Sequence, residues 1–484
     1  MEHRVYVLPQ QTELHIPHGT NLMQALRGGG CVIDAPCGGN GTCGKCLVTV
    51  NGRQVRACCY TVESDLTVEL PEKRSEPILT EGLAAKPTVD PLGGGYLAAI
   101  DVGTTTVVCA LMDSNGNELA VSSGENPQRM WGADVISRIQ HAMKGQREAL
   151  TAAIQAEVQA LLGQCCKNAE ILPEEIGVIS LVGNSCMQQL FLGMDVANLA
   201  GVPFAPVITQ ASTVEAAEYL PLCANAALLI VPDMDGFVGA DTMGCILAAG
   251  LHEAKDTVLL VDIGTNGELA LAHQGRLAVC STAAGPALEG GNIRCGMRAA
   301  PGAIDRVYPD GYHVIGDGEA LGICGSGLVD AAAVMLEKNL LNARGRVLTE
   351  DHCYALAERV ILTQEDIRQL QMAKGAIASG IELLAESMRI SLEEIDRVIL
   401  AGAFGSFLNV KNACRIGLLP PQLESKIITA GNIALSGAKA LALNQTLLPL
   451  TQQISQIATP IDLSQHPHFR KTFAQNMLFP TNAH

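Results

Sequence analysis

One short pattern occurs twice, and it constrains the fold more than any other feature of the sequence. The stretch LAAIDVGTTTVVCALMD, residues 97–113, is an apolar run, a turn of Asp, Gly and three Thr, and a second apolar run. The stretch VLLVDIGTNGELALA, residues 258–272, has the same order about 160 residues later: an apolar run, the same D-(I/V)-G-T turn and a second apolar run. Each stretch predicts a β-hairpin. One such hairpin is common, but two copies indicate two similar subdomains that face one ligand.

Each turn carries the groups that a phosphate requires. Gly103 and Gly264 allow backbone amides to point toward an anion, and the polar side chains that follow can contact its oxygens. Asp101 and Asp262 precede the turns, where a carboxylate can position hydrated Mg²⁺. The chain has no GxxxxGK(S/T) motif, and both turns join two strands instead of opening a helix. We therefore predict a site for ATP and Mg²⁺ rather than for a dinucleotide.

A third glycine-rich stretch completes the set. IDRVILAGAFGSFLNVKNA, residues 395–413, predicts a buried strand, a turn and a helix, and Gly402 and Gly405 allow the close backbone approach that an adenosine needs. Together, DVGTTT, DIGTNGE and AGAFGS resemble the phosphate-1, phosphate-2 and adenosine motifs of the sugar kinase, hsp70 and actin superfamily, known as ASKHA. The resemblance implies an α/β fold. It also implies that residues 96–484 form an ATPase domain with two lobes, of about 96–255 and 256–484.

Three cysteines lie within ten residues near the N-terminus. In CGGNGTCGKC, residues 37–46, they follow the spacing C-x5-C-x2-C with glycine between them. Iron-sulfur clusters need thiolates at such short spacing and a backbone that can approach the sulfides, which glycine permits. A structural zinc site would combine two C-x2-C pairs, and chance clustering among 17 cysteines is the other alternative. We predict a 2Fe-2S cluster with Cys37, Cys43 and Cys46 as ligands and a fourth at Cys58 or Cys59.

Residues 1–70 as a whole predict a small β-rich domain around this loop. The stretches VYVL, ELHI, CLVTV, RQVRA and DLTVEL indicate strands, NLMQALRGGG indicates a helix, and NGR at 51–53 indicates a hairpin turn. The arrangement is similar to the β-grasp fold of 2Fe-2S ferredoxins. Residues 71–95 are rich in proline, glycine and charge and predict a linker. Cys31 is expected to be a packed thiol.

Composition limits the partners and the compartment. The net charge of −17 without a clustered basic face argues against nucleic acid, and no apolar run is long enough to predict a membrane span. The first residues lack the pattern of a signal peptide, so we expect a cytoplasmic protein with reduced thiols. Most of the other cysteines are then expected to be buried, and they include Cys109, Cys165, Cys186, Cys223, Cys245, Cys280, Cys324 and Cys353.

Longer stretches indicate a narrower group. They are NPQRMWGADVISRI (126–139), LVGNSCMQQLFLG (181–193), GFVGADT (236–242), CSTAAGPALEGGNIRCGMRAAPGAI (280–304) and GICGSGLVD (322–330). With the ferredoxin-like N-terminus, they resemble the reductive activators of corrinoid proteins, which serve methyltransferase systems of anaerobes. The segment before DVGTTT is only about 25 residues long, whereas some members of that family have an extra domain there.

The resemblance implies that ATP helps a low-potential cluster to reduce a Co(II) corrinoid protein of a methyltransferase system to Co(I). It also implies an electron donor such as reduced ferredoxin or a flavodoxin-like protein, a homodimer through the ATPase domain, and Cys58 as the fourth cluster ligand. Catalytic roles would fall to Asp101, Asp262, Asp241 and Glu289, although Glu268 and Glu289 are about as often structural. The implied nucleotide contacts are Gly103, Thr104, Thr105, Thr106, Gly264, Thr265, Asn266, Gly402 and Gly405.

Two other functions are compatible with these motifs. One is an ATP-dependent electron activator of another low-potential metalloenzyme, although such activators hold a 4Fe-4S cluster between two subunits with cysteines of the ATPase domain. The other is a scaffold that senses ATP and cluster state. His141, His466 and His468 are expected to be structural or solvent-exposed histidines rather than metal ligands.

Overall fold

The computed structural model describes residues 2–31, 33, 39, 41, 46–71 and 88–480, except for the side chain of residue 403. In the described residues up to 71, five strands form one mixed sheet in the order β2-β1-β5-β3-β4, with one helix packed on it. The elements are β1 (Glu2–Leu8), β2 (Thr12–Pro17), α1 (Leu22–Gly28), β3 (Leu47–Val50), β4 (Arg53–Arg56) and β5 (Leu66–Glu69).

The predicted hairpin between β3 and β4 is confirmed. The two strands are antiparallel, and Asn51 and Gly52 form the turn with φ of 47° and 79°. Asparagine and glycine tolerate these left-handed values, which match the twist of the flanking strands. Cys31 is only 4% exposed and belongs to the core of this sheet, as expected.

Two larger sheets of six strands each follow. The first has the order β10-β11-β9-β6-β7-β8. Its strands are β6 (Tyr96–Val102), β7 (Thr106–Met112), β8 (Glu118–Glu125), β9 (Ile176–Gly183), β10 (Ser212–Glu215) and β11 (Ala227–Ile230). The helices of this part are α2 (Val135–His141), α3 (Arg147–Ala169), α4 (Ser185–Phe191) and α5 (Ala240–Ala249).

The second large sheet has the order β21-β20-β12-β13-β14-β22, and two small sheets accompany it. The strands are β12 (Val258–Ile263), β13 (Gly267–His273), β14 (Arg276–Thr282), β15 (Ala303–Tyr308), β16 (Gly311–Val314), β17 (Gly322–Ile323), β18 (Cys353–Ala357), β19 (Val360–Thr363), β20 (Arg397–Ala401), β21 (Ile427–Gly431) and β22 (Ala458–Pro460). The helices are α6 (Gly325–Glu337), α7 (Gln364–Met388), α8 (Gly402–Phe407), α9 (Val410–Ile416), α10 (Ile433–Leu443), α11 (Leu447–Ile457) and α12 (Phe469–Asn476).

The two large sheets repeat one topology. In each, a hairpin of two antiparallel strands (β6 and β7, or β12 and β13) continues into a third antiparallel strand, and the first strand pairs in parallel with a later one. The two predicted hairpins are therefore present, and each occupies the same place in its sheet.

Helices α5 and α10 pack between the two sheets. A Cβ on Gly437 would lie 2.1 Å from the carbonyl oxygen of Gly244, so only glycine allows the two backbones to cross this closely. The surrounding core joins residues of both sheets, for example Ala99 and Leu260. This packing brings the N-terminal ends of both helices to the cleft between the sheets.

The cysteines outside the N-terminal loop are mostly buried, as expected. Seven of the eight named above are buried, but Cys353 is half-buried because it begins β18, a strand of a small two-stranded sheet. No helix in the described part of the chain is both long and apolar enough to cross a membrane.

Candidate nucleotide and cluster sites

The two hairpin turns face each other across one cleft. Residues 103–106 line one side of it, and residues 264–266 line the other. The strands pair up to these turns, so both turns are held by the sheets beneath them. Asp101 and Asp262, at the ends of β6 and β12, reach the same cleft. The structure thus brings together the residues that the sequence predicted for phosphate and magnesium.

Glu289 connects the two turns directly. Its Oε2 accepts hydrogen bonds from the hydroxyls of Thr105 and Thr265, each at 3.0 Å. One carboxylate oxygen therefore ties both phosphate turns to a single point. The catalytic role that the resemblance implies for Glu289 stays a prediction; the geometry adds the contact that bridges the two turns.

Four carboxylates converge at the floor of the cleft. Burial raises the pKa of Asp101 to about 6 and that of Asp262 to about 6. Burial, followed by repulsion from Asp262 and Asp101, raises the pKa of Asp241 to about 7, and burial also raises the pKa of Glu268 well above its usual value. Carboxylate oxygens are the ligands that Mg²⁺ prefers. A divalent cation would offset the repulsion, so this donor set fits the predicted ion.

Two asparagines that the sequence analysis did not select support the site. Asn432 caps α10 by accepting from the Leu435 amide at 3.0 Å, and its Nδ2 donates to Oδ2 of Asp101 at 2.9 Å. Asn184 caps α4 in the same way, and its Nδ2 donates to Oγ1 of Thr104 at 3.0 Å. Serine or aspartate could cap either helix, but neither supplies this amide donor. The sequence signal is an asparagine immediately before a helix.

Gly402 lies against the carboxylate of Asp262. Its φ is +85°, and a Cβ would lie 2.6 Å from Oδ1 of Asp262. Any other residue would therefore be strained and would displace the carboxylate. Gly405 has a different surrounding: it is not among the described residues that line the cleft, and a Cβ there would lie 2.9 Å from Cγ of Leu400. Its contact with adenosine stays a prediction, and its visible role is packing of α8 on β20.

Replacing Gly402 with Ala is expected to weaken MgATP binding and to lower the free energy of unfolding by about 1 kcal/mol from backbone strain. The matched control is Gly275→Ala, because Gly275 has a similar φ of +75° but nothing within 4 Å of the added Cβ. Calorimetric titration and thermal unfolding measure the two effects. Equal loss of nucleotide affinity in both variants would contradict the role assigned to the contact with Asp262.

Further residues complete the walls of the cleft. Gly325 and Ser326, at the start of α6, belong to the lining, and a Cβ on Gly325 would lie 1.8 Å from the carbonyl oxygen of Leu288. At Gly325 only glycine allows this close packing beside the cleft. Phe404 and Phe407 add apolar surface near Gly402, and Arg298 adds a cation.

In the N-terminal domain, two of the four predicted cluster ligands lie in the described residues. The Sγ atoms of Cys46 and Cys58 are 3.2 Å apart, too far for a disulfide and close enough to bind neighbouring positions of one metal centre. Cys59 Sγ lies 3.6 Å from Cys58 Sγ, and Cys59 is exposed. Cys37 and Cys43 lie outside the described residues. Cys58 is therefore the better placed of the two candidates for the fourth ligand, which stays a prediction.

The histidines have ordinary partners. His141 Nδ1 contacts Oε1 of Gln146 at 2.7 Å, and His468 Nδ1 contacts Oε1 of Glu386 at 2.6 Å. His466 accepts from the backbone amide of His468 at 3.3 Å. The ligand atoms of Glu386, His466 and His468 do come within 4.8 Å of one another, on the protein surface.

Three protein-family models match the chain. They are described as a 2Fe-2S iron-sulfur cluster binding domain (residues 5–77), the RACo middle region (96–254) and the C-terminal domain of RACo, the ASKHA domain (256–484). The Corrinoid activation enzyme RamQ of Eubacterium limosum is 34% identical over 421 residues, which cover 80% of this chain and 71% of that protein. The chain belongs to the RACo family. The predicted ferredoxin-like domain followed by an ASKHA domain is thereby confirmed.

Two further proteins extend the comparison. The Co(II) methylated amine-specific corrinoid protein reductase of Methanosarcina barkeri is 25% identical over 404 residues, which cover 75% of this chain and 73% of that protein. A solved structure of a reductive activator for a corrinoid, iron-sulfur protein superposes with a TM-score of 0.74 at 28% identity, covering 99% of this chain and 98% of the other. The shared fold therefore extends over nearly the whole length of both chains.

Proposed function

We propose that this protein is an ATP-dependent reductive activator, which passes one electron from a 2Fe-2S cluster to a Co(II) corrinoid protein and restores the Co(I) state. The observation that carries the proposal is the union, in one chain, of a 2Fe-2S cluster binding domain with an ASKHA cleft in which two phosphate turns meet four buried carboxylates. Two relatives, a corrinoid activation enzyme and a corrinoid protein reductase, support a corrinoid protein as the acceptor.

The energetics explain why a cluster domain would be joined to an ATPase. Plant-type clusters have potentials near about −400 mV, and each ~59 mV uphill lowers a one-electron equilibrium tenfold. Reduction of Co(II) to Co(I) has a very low potential, so the cluster alone would reduce only a fraction of the acceptor. ATP can shift the balance if its binding or hydrolysis favours a complex in which the reduced state is stabilised.

Different residues of the cleft would contact the phosphates, the adenosine and the magnesium ion. The amides and hydroxyls of residues 103–106 and 264–266 would bind its phosphates, and Gly402 with Phe404 would border its adenosine. Asp101, Asp241 and Asp262 would hold Mg²⁺ and orient water. Mg²⁺ supplies charge neutralisation at the phosphates. Glu289 would keep the two turns at the separation that the bridging phosphates need.

The partners of the reaction follow from the same proposal. The cluster requires a donor, for which reduced ferredoxin or a flavodoxin-like protein has the appropriate potential range. The acceptor would be a corrinoid protein of a methyltransferase system. We propose a homodimer through the ATPase domain, which sedimentation of the purified protein tests directly.

The test is a reduction assay under strict anaerobiosis. The purified protein should show a 2Fe-2S spectrum that bleaches with a low-potential reductant. Addition of a Co(II) corrinoid protein and MgATP should then yield the absorption of Co(I). An equal yield of Co(I) with and without ATP would refute the proposal. Reduction of another metalloenzyme but not of the corrinoid protein would show that the electron acceptor is a different protein.

A further inference from the structure

The helix of the N-terminal domain is fastened to the candidate cluster segment. Nδ2 of Asn21 donates to the carbonyl of Cys58 at 2.9 Å, while its Oδ1 accepts from the Met23 amide and so caps α1. The Leu22 amide also donates to the carbonyl of Tyr60 at 2.8 Å. These hydrogen bonds hold α1 and the segment that carries Cys58 together, so the two move as one unit.

The other end of α1 reaches the ATPase domain. Arg27, in the last turn of α1, places its guanidinium carbon 5.9 Å from the ring centroid of Trp131, the only tryptophan of the chain. Nε and one Nη of Arg27 are shut off from solvent. A cation within about 6 Å of the centroid of an aromatic ring is attracted to its face, and indole is the most favourable ring for this contact. This contact joins the ferredoxin-type domain to residues 126–138, which we call the coupling segment.

The coupling segment is bonded to the first phosphate turn at three consecutive carbonyls. Nδ2 of Asn126 donates to the carbonyl of Gly103 at 2.8 Å, and the backbone amide of Asn126 donates to the carbonyl of Thr105 at 2.9 Å. The guanidinium of Arg138 donates to the carbonyl of Thr104. Asn126 and Arg138 are both fully buried, so water cannot replace these bonds without opening the core.

Trp131 lies between these two anchors along the chain. Its amide donates to the carbonyl of Gln128 at 2.9 Å, and Nε of Arg138 donates to the carbonyl of Gly132 at 3.1 Å. A displacement of the phosphate turn therefore moves the indole through a short series of buried hydrogen bonds. Residues 103–106 of the same turn also line the cleft.

We propose that the coupling segment links nucleotide binding to docking of the ferredoxin-type domain, with the Arg27–Trp131 contact as the docking point. The inference rests on the proposed function, because it assumes that the cleft binds nucleotide. Docking orders the coupling segment and thereby the phosphate turn. Nucleotide binding to the docked form then loses less conformational entropy than binding to the undocked form. Nucleotide and docking then favour each other, and each must change the other by the same factor.

The experiment uses the intact, cluster-loaded protein and its single tryptophan. Acrylamide quenching of Trp131 fluorescence is measured with and without MgADP and a magnesium complex of a non-hydrolysable ATP analogue. In the wild type, nucleotide should lower the quenching constant because docked Arg27 covers the indole. Arg27→Ala should raise the quenching constant and raise the nucleotide Kd about fivefold. The matched control Gln24→Ala, an exposed side chain of the same helix, should change neither.

The outcomes separate this inference from the function on which it rests. Unchanged quenching in Arg27→Ala refutes docking at Trp131. Changed quenching with an unchanged nucleotide Kd refutes the coupling but leaves ATP-dependent corrinoid reduction intact. No nucleotide binding by the wild type overturns the proposed function itself. Arg27→Lys keeps the cation without the planar face, and its values should fall between those of the wild type and Arg27→Ala.

Discussion

Replacing Asp262 with Asn is expected to lower the rate of ATP hydrolysis about 100-fold or more while making the folded protein more stable in magnesium-free buffer. Asp262 ends β12 at the floor of the cleft, and its charge raises the pKa of Asp101 and of Asp241. The amide keeps the shape but removes one negative charge from a buried cluster. Phosphate release and the melting temperature at pH 7.5 measure the two effects.

The opposite signs of these effects are the informative part. A carboxylate kept for structure would destabilise the fold when replaced, whereas a carboxylate kept for a cation stores repulsion that the ion relieves. The expected gain in the free energy of unfolding is about 1 kcal/mol. The control is Asp256→Asn, which removes an exposed ion pair with Arg397 and should change neither rate nor stability appreciably. Full ATPase activity in Asp262→Asn would contradict the role proposed for this group.

The sequence predicted the parts of the site that depend on local pattern. Each hairpin is a run of neighbouring residues whose alternation and glycine content determine a turn, so Asp101 and Asp262 could be placed at turn edges without a structure. Asp241 entered only by resemblance, because nothing local shows that the start of α5 faces the same cleft.

Contacts between distant segments were beyond local pattern. The hydroxyl of Thr105 meets Glu289 across 184 positions, and Asn432 reaches Asp101 across 331. Such pairs exist only after two sheets pack through α5 and α10, and tertiary packing has no signature in a short window of sequence. Arg138 illustrates the same limit. The sequence alone predicts that an arginine on an amphipathic helix is exposed. In the structure Arg138 is buried, and its guanidinium donates to the carbonyl of Thr104.

The second large effect is expected in the cluster domain. Cys46→Ser should abolish the 2Fe-2S absorption, since Cys46 is 1% exposed and its Sγ lies 3.2 Å from that of Cys58. Cys58→Ser should also abolish it, whereas Cys59→Ser should retain it. The control Cys31→Ser alters a buried thiol of the same core, outside the proposed ligand set, and should retain the cluster. Iron content and visible absorption of anaerobically purified protein measure the outcome.

Comparing the Cys58 and Cys59 variants identifies the fourth ligand. The comparison is needed because the two sulfurs are only 3.6 Å apart and a small backbone shift could exchange them. Retention of the cluster in Cys58→Ser with loss in Cys59→Ser would reverse the assignment. MgATP binding should persist in Cys46→Ser, since no residue of the cluster domain lines the described cleft. Asp262→Asn should show the converse, a normal cluster without ATP hydrolysis. If both variants then fail to yield Co(I), neither chemistry alone suffices, which is the reason for joining the two domains in one chain.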